Sequence, residues 1–170
     1  MNRIIIAPLA ATAINQLIDV AHRAWHAHYP GIITVEQIDY MLQIGYNPAV
    51  ITQEMERQGI AWFSIMDGTS MIGFMAVGPY ETDIVKLHKL YLLPEYHGKG
   101  IGSLALARVE QVARDMNARR IVLNVNKQNH RAIRAYERAG WLVIDEVVND
   151  IGNGFVMDDF VMSKQIYDQS

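Results

Sequence analysis

The residues with the clearest chemical potential lie in the segment 86–103, where a strand pattern gives way to a helix pattern. Glycines alternate there at Gly98, Gly100 and Gly102, directly before apolar residues at helical spacing. Alternating glycines let successive backbone N–H groups point toward one site, and the dipole of the following helix adds about half a positive charge there. Such a turn suits a pyrophosphate. The glycines alone equally fit a tight turn without a ligand, and their spacing matches neither a Walker loop nor the G-x-G-x-x-G motif.

Composition excludes several other chemistries. The 170 residues contain no cysteine, which rules out a thiolate nucleophile, a disulfide framework and a cysteine-based zinc site. The net charge of −3 gives no support for nucleic-acid binding. Residues 86–138 nevertheless carry eleven Lys/Arg against four Asp/Glu, between two acidic flanks. That pattern is either an accident of surface charge or a site for an anionic cofactor beside one for a cationic substrate.

The elements that must position these residues follow from hydrophobic periodicity and turn signals. Helix caps are predicted at Thr12, Thr34 and Asn47, and the Thr34 cap has the capping-box form. Strands are predicted at 3–7, 60–66, 71–77, 84–93, 120–125, 141–148 and 155–162, and helices at 13–28, 35–44, 48–58, 101–116 and 129–139. No repeat or linker interrupts this pattern, so we expect one α/β (α+β) domain over residues 1–170 with a mixed sheet. No apolar run is long enough to span a bilayer and no secretory signal is evident, so we expect a soluble, cytoplasmic protein.

Two motifs resemble those of one enzyme family. The glycine segment is similar to motif A of the GNAT (Gcn5-related) N-acetyltransferases, Arg/Gln-x-x-Gly-x-Gly/Ala, with His97 in place of the Arg or Gln. Residues 129–141, NHRAIRAYERAGW, resemble motif B, Asn-x-x-Ala-x-x-x-Tyr-Glu-Lys-x-Gly-Phe. Residues 90–96 and 151–164 look like the PaiA-type spermidine/spermine acetyltransferase branch. The resemblance implies a GNAT fold, with a twisted, mixed, mostly antiparallel sheet of six to seven strands flanked by helices.

The resemblance also implies acetyl-CoA as the acetyl donor. No metal is expected, because His22 and His26 have the spacing of zinc ligands but no Glu follows His22, as an H-E-x-x-H site requires. The pyrophosphate of acetyl-CoA is expected on the amides of residues 98–103, its pantetheine arm beside Leu92, and the thioester carbonyl on the Leu90 amide, which would act as an oxyanion hole. The cofactor-binding residues implied are Leu90, Tyr91, Leu92, His97, Gly98, Lys99, Gly100, Ile101, Gly102, Ser103, Asn129, Ala132, Tyr136 and Arg138. Tyr136 is expected to donate to the departing thiolate; a tyrosine that only packs under the cofactor is the alternative.

Attack on a thioester requires a neutral amine, so a base or a water relay is expected. His88 is the leading side chain, because on a regular strand Lys86, His88, Leu90 and Leu92 share one face. A histidine hydrogen-bonded at the sheet surface is the alternative interpretation. Glu81 in the preceding turn is a second candidate, as a base or a substrate anchor.

The acceptor is expected to enter between the first helices and the closing hairpin. Aromatic and acidic side chains suit an ammonium group, and those assigned to the acceptor are Trp25, Tyr29, Glu81 and Asp158, with Asp159 beside the last. We therefore predict acetyl transfer by direct attack to a primary amine, such as a polyamine, with no nucleic-acid or membrane partner. Acetylation of a protein or peptide, and a non-catalytic acetyl-CoA sensor, are the alternatives. The sequence leaves open whether the molecule is a monomer or a homodimer.

Overall fold

A computed structural model describes residues 3–166, which form one seven-stranded sheet with helices on both faces. The strands are β1 Ile4–Pro8, β2 Ala61–Asp67, β3 Ser70–Glu81, β4 Ile84–Leu92, β5 Arg120–Asn126, β6 Leu142–Gly152 and β7 Phe155–Gln165. The helices are α1 Ile14–His28, α2 Val35–Gly45, α3 Pro48–Arg57, α4 Ile101–Asp115 and α5 His130–Arg138. The predicted mixed, mostly antiparallel sheet is confirmed, because β4 and β5 are the only parallel neighbours among the strands of residues 3–166, whose order is β1-β2-β3-β4-β5-β7-β6.

Local sequence signals explain two of the three predicted caps. The Thr34 side chain accepts from the Gln37 amide at 3.1 Å, and Asn47 accepts from the Val50 amide at 2.9 Å ahead of a proline in the first turn. The prediction for Thr12 is wrong. A 3₁₀ turn at Ala11–Ala13 precedes α1 and moves its N-cap to Ala13, which has no side chain able to accept a hydrogen bond.

The sheet carries a separate hydrophobic core on each side. Helices α4 and α5 cover what we call the α4 face, with Val109 and Leu123 among the buried residues. Helices α1, α2 and α3 cover the opposite, α1 face, around Trp62 and Phe74. No helix within residues 3–166 is long and apolar enough to cross a membrane.

An opening in the sheet between β4 and β5 connects its two faces. Parallel pairing between β4 and β5 covers only three residue pairs and stops at Lys86 and Val122. Beyond that point β4 remains paired with β3 as far as Leu92, and β5 with β7 as far as Asn126. The two strands therefore diverge around a cleft of about 820 Å³, which both strands line.

Candidate active site

The predicted glycine cradle closes one end of the cleft. Gly98 and Gly100 have φ angles of +73° and +80°, which bring the chain from β4 into the 15-residue helix α4. A Cβ added at Gly98, Gly100 or Gly102 would meet no atom within 4 Å, and all three glycines line the cleft with Ser103. The N-terminus of a long helix thus faces open space, as the binding of an anionic group requires.

The edge of β4 that faces the cleft presents backbone groups. The Leu93 amide donates to the Ile72 carbonyl of β3 at 2.9 Å, so the alternation of an antiparallel pair turns the amides of Leu90 and Leu92 away from β3. These amides lie where β5 has already diverged. The Leu92 carbonyl on the same edge accepts from Nε2 of His97 at 3.0 Å. His97 thus contacts the edge onto which an extended ligand chain would add.

A β-bulge interrupts β4 at His88. Val77 of β3 pairs with Leu87 and the preceding Ala76 pairs with Lys89, which leaves His88 as an extra residue in β4. A bulge reverses the alternation of side chains in the strand that carries it. No glycine or proline marks this position, so the sequence carries no signal for it.

The bulge corrects the predicted orientation of β4. Val85 and Leu87 pack on the α4 face before it, and Leu90 and Leu92 pack on that same face after it. Lys86 lies between the first two and therefore points to the α1 face. The prediction that Lys86, His88, Leu90 and Leu92 share one face is wrong. The extra residue in the bulge puts Lys86 on the opposite face from Leu90 and Leu92.

His88 lines the cleft as a neutral imidazole. Burial, together with the ammonium groups of Lys86 and Lys89, lowers the pKa of His88 to about 4. Its Nε2 atom is buried and has no hydrogen-bond partner among the described residues. The ring is therefore unprotonated across the neutral pH range and can accept a hydrogen bond from an amine or a water.

Helix α5 brings Tyr136 to the wall opposite β4. The half-buried Tyr136 ring lies 5.7 Å from that of Trp141, and burial raises the pKa of the Tyr136 hydroxyl. Asn129 caps the helix by accepting from the Ala132 amide at 3.3 Å. Asn129, Ala132 and Arg138 also line the cleft, together with Tyr136. The Tyr136 hydroxyl thus keeps its proton at neutral pH and can donate a hydrogen bond to a group in the cleft.

On the α1 face the cleft has an aromatic wall. The hydroxyls of Tyr29 and Tyr91 are 2.9 Å apart, and the Trp25 ring lies 4.5 Å from that of Tyr29. Burial raises the pKa of Tyr29 to about 12. Trp25, Tyr29 and Tyr91 all line the cleft. They form a rigid apolar surface with hydroxyl groups at its edge.

The side chains of four predicted site residues lie elsewhere. Lys99 stacks over the Tyr96 ring at 5.4 Å, and Ile101 is buried in the core beneath α4, so that only their backbone amides belong to the cradle. Glu81 is exposed at the end of β3 far from the cradle. Asp158 is exposed and pairs with Lys127 at 2.9 Å. The acidic side chain that lines the cleft from β7 is instead its neighbour, Asp159.

The prediction missed two charged residues that line the cleft. Oε2 of Glu54 accepts from the Trp62 indole N–H at 3.0 Å, and Nζ of Lys89 lies 4.8 Å above the Tyr46 ring. Burial raises the pKa of Glu54 and lowers that of Lys89. The sequence patterns of α3 and β4 do not indicate that these two residues line a cleft, because the packing of α3 beside the sheet brings them there. Within residues 3–166 no three metal-ligating side chains converge.

Comparisons with known proteins agree with this geometry. Residues 14–141 match the model of the acetyltransferase (GNAT) family. The chain is 27% identical over 157 residues to a spermidine N(1)-acetyltransferase of Thermoplasma acidophilum, covering 90% of this chain and 94% of the relative. It is 28% identical over 132 residues, 78% of this chain and 85% of the relative, to an uncharacterized N-acetyltransferase of Mycobacterium tuberculosis.

Solved structures extend the comparison. The crystal structure of the PaiA N-acetyltransferase from Thermoplasma acidophilum in complex with coenzyme A superposes with a TM-score of 0.84 at 27% identity, covering 96% of this chain and 99% of that chain. The ribosomal-protein-S18-alanine N-acetyltransferase from Escherichia coli superposes with a TM-score of 0.72 at 16% identity, covering 99% and 97%. The second likeness concerns the fold alone.

Proposed function

Because the chain belongs to the GNAT acetyltransferase family and is an acetyl-CoA-dependent N-acetyltransferase, we propose that its acceptor is a primary amine of a small cationic molecule such as a polyamine. The observation that carries the proposal is the opening between β4 and β5. It joins a helix N-terminus suited to an anion on the α4 face to a chamber on the α1 face, which is lined by Trp25, Tyr29 and the carboxylates of Glu54 and Asp159, with Lys86 and Lys89 beside them. Two substrates can thus meet at the edge of β4 from opposite sides of the sheet.

The cradle fits a pyrophosphate, since a Cβ at any of its three glycines would project into its open space. The amides of residues 98–103 would hold that group, and those of Leu90 and Leu92 would hold the pantetheine arm and the thioester carbonyl. Asn129, Ala132 and Arg138 line the same end of the cleft and complete the proposed donor site. Bound acetyl-CoA supplies the acyl thioester. His97 must release the Leu92 carbonyl if the arm is to pair with it.

The acceptor amine has to lose a proton before it attacks. An alkylamine with a pKa of about 10.4 is neutral in fewer than about one molecule in a thousand at pH 7, which corresponds to about 4–5 kcal/mol. His88 supports this step as a neutral acceptor at the cleft wall, directly or through ordered waters. Tyr136 on the opposite wall is the proposed donor to the departing sulfur.

We expect the role of His88 to show in the pH profile of activity. A lowered pKa keeps the ring neutral until the pH falls to about 4, so the rate corrected for the neutral fraction of the amine should stay level from pH 8 to about 5 and fall below that. His88→Gln should lower the corrected rate between pH 8 and about 5 about tenfold and abolish its decrease at lower pH. His130→Gln, in an exposed histidine outside the cleft, is the matched control. An acid limb that persists in His88→Gln would assign the proton transfer to another group.

Two observations support a cationic acceptor, the name of a related enzyme and the side chains that line the chamber on the α1 face. The Thermoplasma acidophilum relative that matches most of this chain is a spermidine acetyltransferase. The carboxylates of Glu54 and Asp159 and the aromatic wall at Trp25 and Tyr29 suit an alkyl chain that ends in ammonium groups. Tyr29 is buried at the end of α1 and closes this side of the chamber, which disfavours an extended peptide.

Steady-state release of free CoA across a panel of acceptors tests the proposal. The panel contains polyamines, amino acids, aminoglycosides and short peptides, with acetyl-CoA as the donor. We expect the highest kcat/KM with spermidine, spermine or a short diamine. A preference for amino acids or peptides would contradict the cationic acceptor. Tight acetyl-CoA binding without turnover of any amine would contradict the proposed activity itself.

A further inference from the structure

Asp159 is a buried carboxylate that lines the cleft with unused hydrogen-bonding capacity. It lies on β7, where it pairs with Asn126 of β5 on one side and Val147 of β6 on the other. Its exposed fraction is 6%, and its Oδ1 atom has no hydrogen-bond partner among the described residues. Met157, two residues earlier on the same side of β7, packs into the core of the α1 face. The carboxylate therefore points to the acceptor side of the opening.

The surroundings of Asp159 compensate its charge only in part. Burial raises the pKa of this carboxyl, and the side chains of Asn149, Asn124 and Lys86 offset some of that effect. Neither Lys86 nor Asp159 takes part in an ion pair within 4.0 Å among the described residues, although both line the cleft. A buried carboxylate with no ion-pair partner among the described residues is costly, and a cation from outside the chain would satisfy it.

We infer that Asp159 binds an ammonium group of the acceptor other than the amine that is acetylated. This assignment rests on the proposed function and names the carboxylate that selects a diamine or polyamine over a monoamine. Strand β5 separates β7 from β4, and β4 and β5 have already diverged at this level, so Asp159 lies at least two strand spacings, ~10 Å or more, from the edge where the thioester would bind. A carboxylate touching the reacting amine would stabilise its ammonium form, which cannot attack, whereas a second ammonium stays charged throughout.

The experiment compares two neighbouring variants with two acceptors. Asp159→Asn removes the buried charge, and Asp158→Asn removes the exposed, paired charge on the opposite side of the same strand. The acceptors are 1,4-diaminobutane and butylamine, which differ by the second ammonium group. We expect Asp159→Asn to raise KM for the diamine about tenfold or more and to change KM for butylamine less than about twofold. Asp158→Asn should leave both values within about twofold.

Two controls separate this inference from the proposed function. Acetyl-CoA affinity of Asp159→Asn, measured by calorimetry, should equal that of the wild type, which shows that the variant is folded and its donor site intact. Equal KM changes for both amines, or no change, would overturn the role of Asp159 while leaving acetyl transfer to amines in place. Equal efficiency of the wild type with butylamine and with the diamine would also overturn the role of Asp159 and leave acetyl transfer to amines in place. Failure of the wild type to acetylate either amine would overturn both.

Discussion

Gly100→Val is expected to weaken acetyl-CoA binding at least about a hundredfold, which corresponds to about 2.8 kcal/mol. A Cβ at this position meets no atom of the described residues within 4 Å, so the valine side chain would stand in the open space in front of α4. It would displace the pyrophosphate from the amides at the helix N-terminus. Each hydrogen bond from an amide to a charged oxygen contributes about 1.5–3 kcal/mol, so the loss of two accounts for the expected effect.

Gly154→Val is a closely matched control. Gly154 has a φ angle of +79° against +80° for Gly100, and a Cβ there also meets nothing within 4 Å. It lies in the turn between β6 and β7 and does not line the cleft. Both variants therefore place a valine at the same positive φ angle, and thermal unfolding will measure the resulting loss of stability. Acetyl-CoA affinity of Gly100→Val within about threefold of Gly154→Val in calorimetry would reject the cradle as the pyrophosphate site.

Much of the fold could be predicted from the sequence because local chemistry sets its boundaries. Thr34 and Asn47 cap their helices as expected, since a polar side chain before an apolar helical run satisfies a free amide. Gly59 and Gly140 have positive φ angles just beyond α3 and α5, where helix ends were predicted. Thr12 failed because a 3₁₀ turn and an α-helix have nearly the same sequence requirements over three residues.

The orientation of site residues was less predictable, because it depends on register. The bulge at His88 reverses the side-chain parity of β4, and the extra residue is visible only once β3 is paired beside it. For the same reason the sequence did not distinguish Asp158 from Asp159. Pairing of β7 with β5 and β6 turns the first to solvent and the second to the cleft. The faces of two consecutive acidic residues in a strand can be assigned only when the neighbouring strands are known.

The backbone parts of the proposed donor site were predictable because they depend on short motifs. Gly98, Gly100 and Gly102 lie within five residues at the start of α4, and Asn129 caps α5, so sequence spacing alone brings these groups together within their segments. The acceptor chamber instead combines side chains from α1, α3, β4 and β7. Its residues are distant in sequence and lie on elements whose packing no local pattern determines. Glu54 and Lys89 were missed for this reason.

Tyr136→Phe is expected to lower kcat about a hundredfold with little change in acetyl-CoA affinity. Burial raises the pKa of the Tyr136 hydroxyl, so it keeps its proton throughout the working pH range. A thiolate leaving group has a pKa of about 8.5, lower than that of the tyrosine, so the hydroxyl stabilises the departing sulfur chiefly by donating a hydrogen bond to its developing charge. Loss of one such donor costs about a hundredfold in kcat, or about 2.8 kcal/mol.

The phenylalanine variant separates chemistry from packing. It keeps the ring that lies 5.7 Å from Trp141, so a purely structural tyrosine would leave kcat unchanged. Single-turnover rates and acetyl-CoA affinity, measured for Tyr136→Phe and for the control Tyr80→Phe, distinguish the two roles. Tyr80 is 54% exposed and does not line the cleft, so its variant should match the wild type. If Tyr136→Phe also has the kcat of the wild type, another group stabilises the leaving thiolate. The remaining hydrogen-bond donors at that end of the cleft are then the amides of β4 and water.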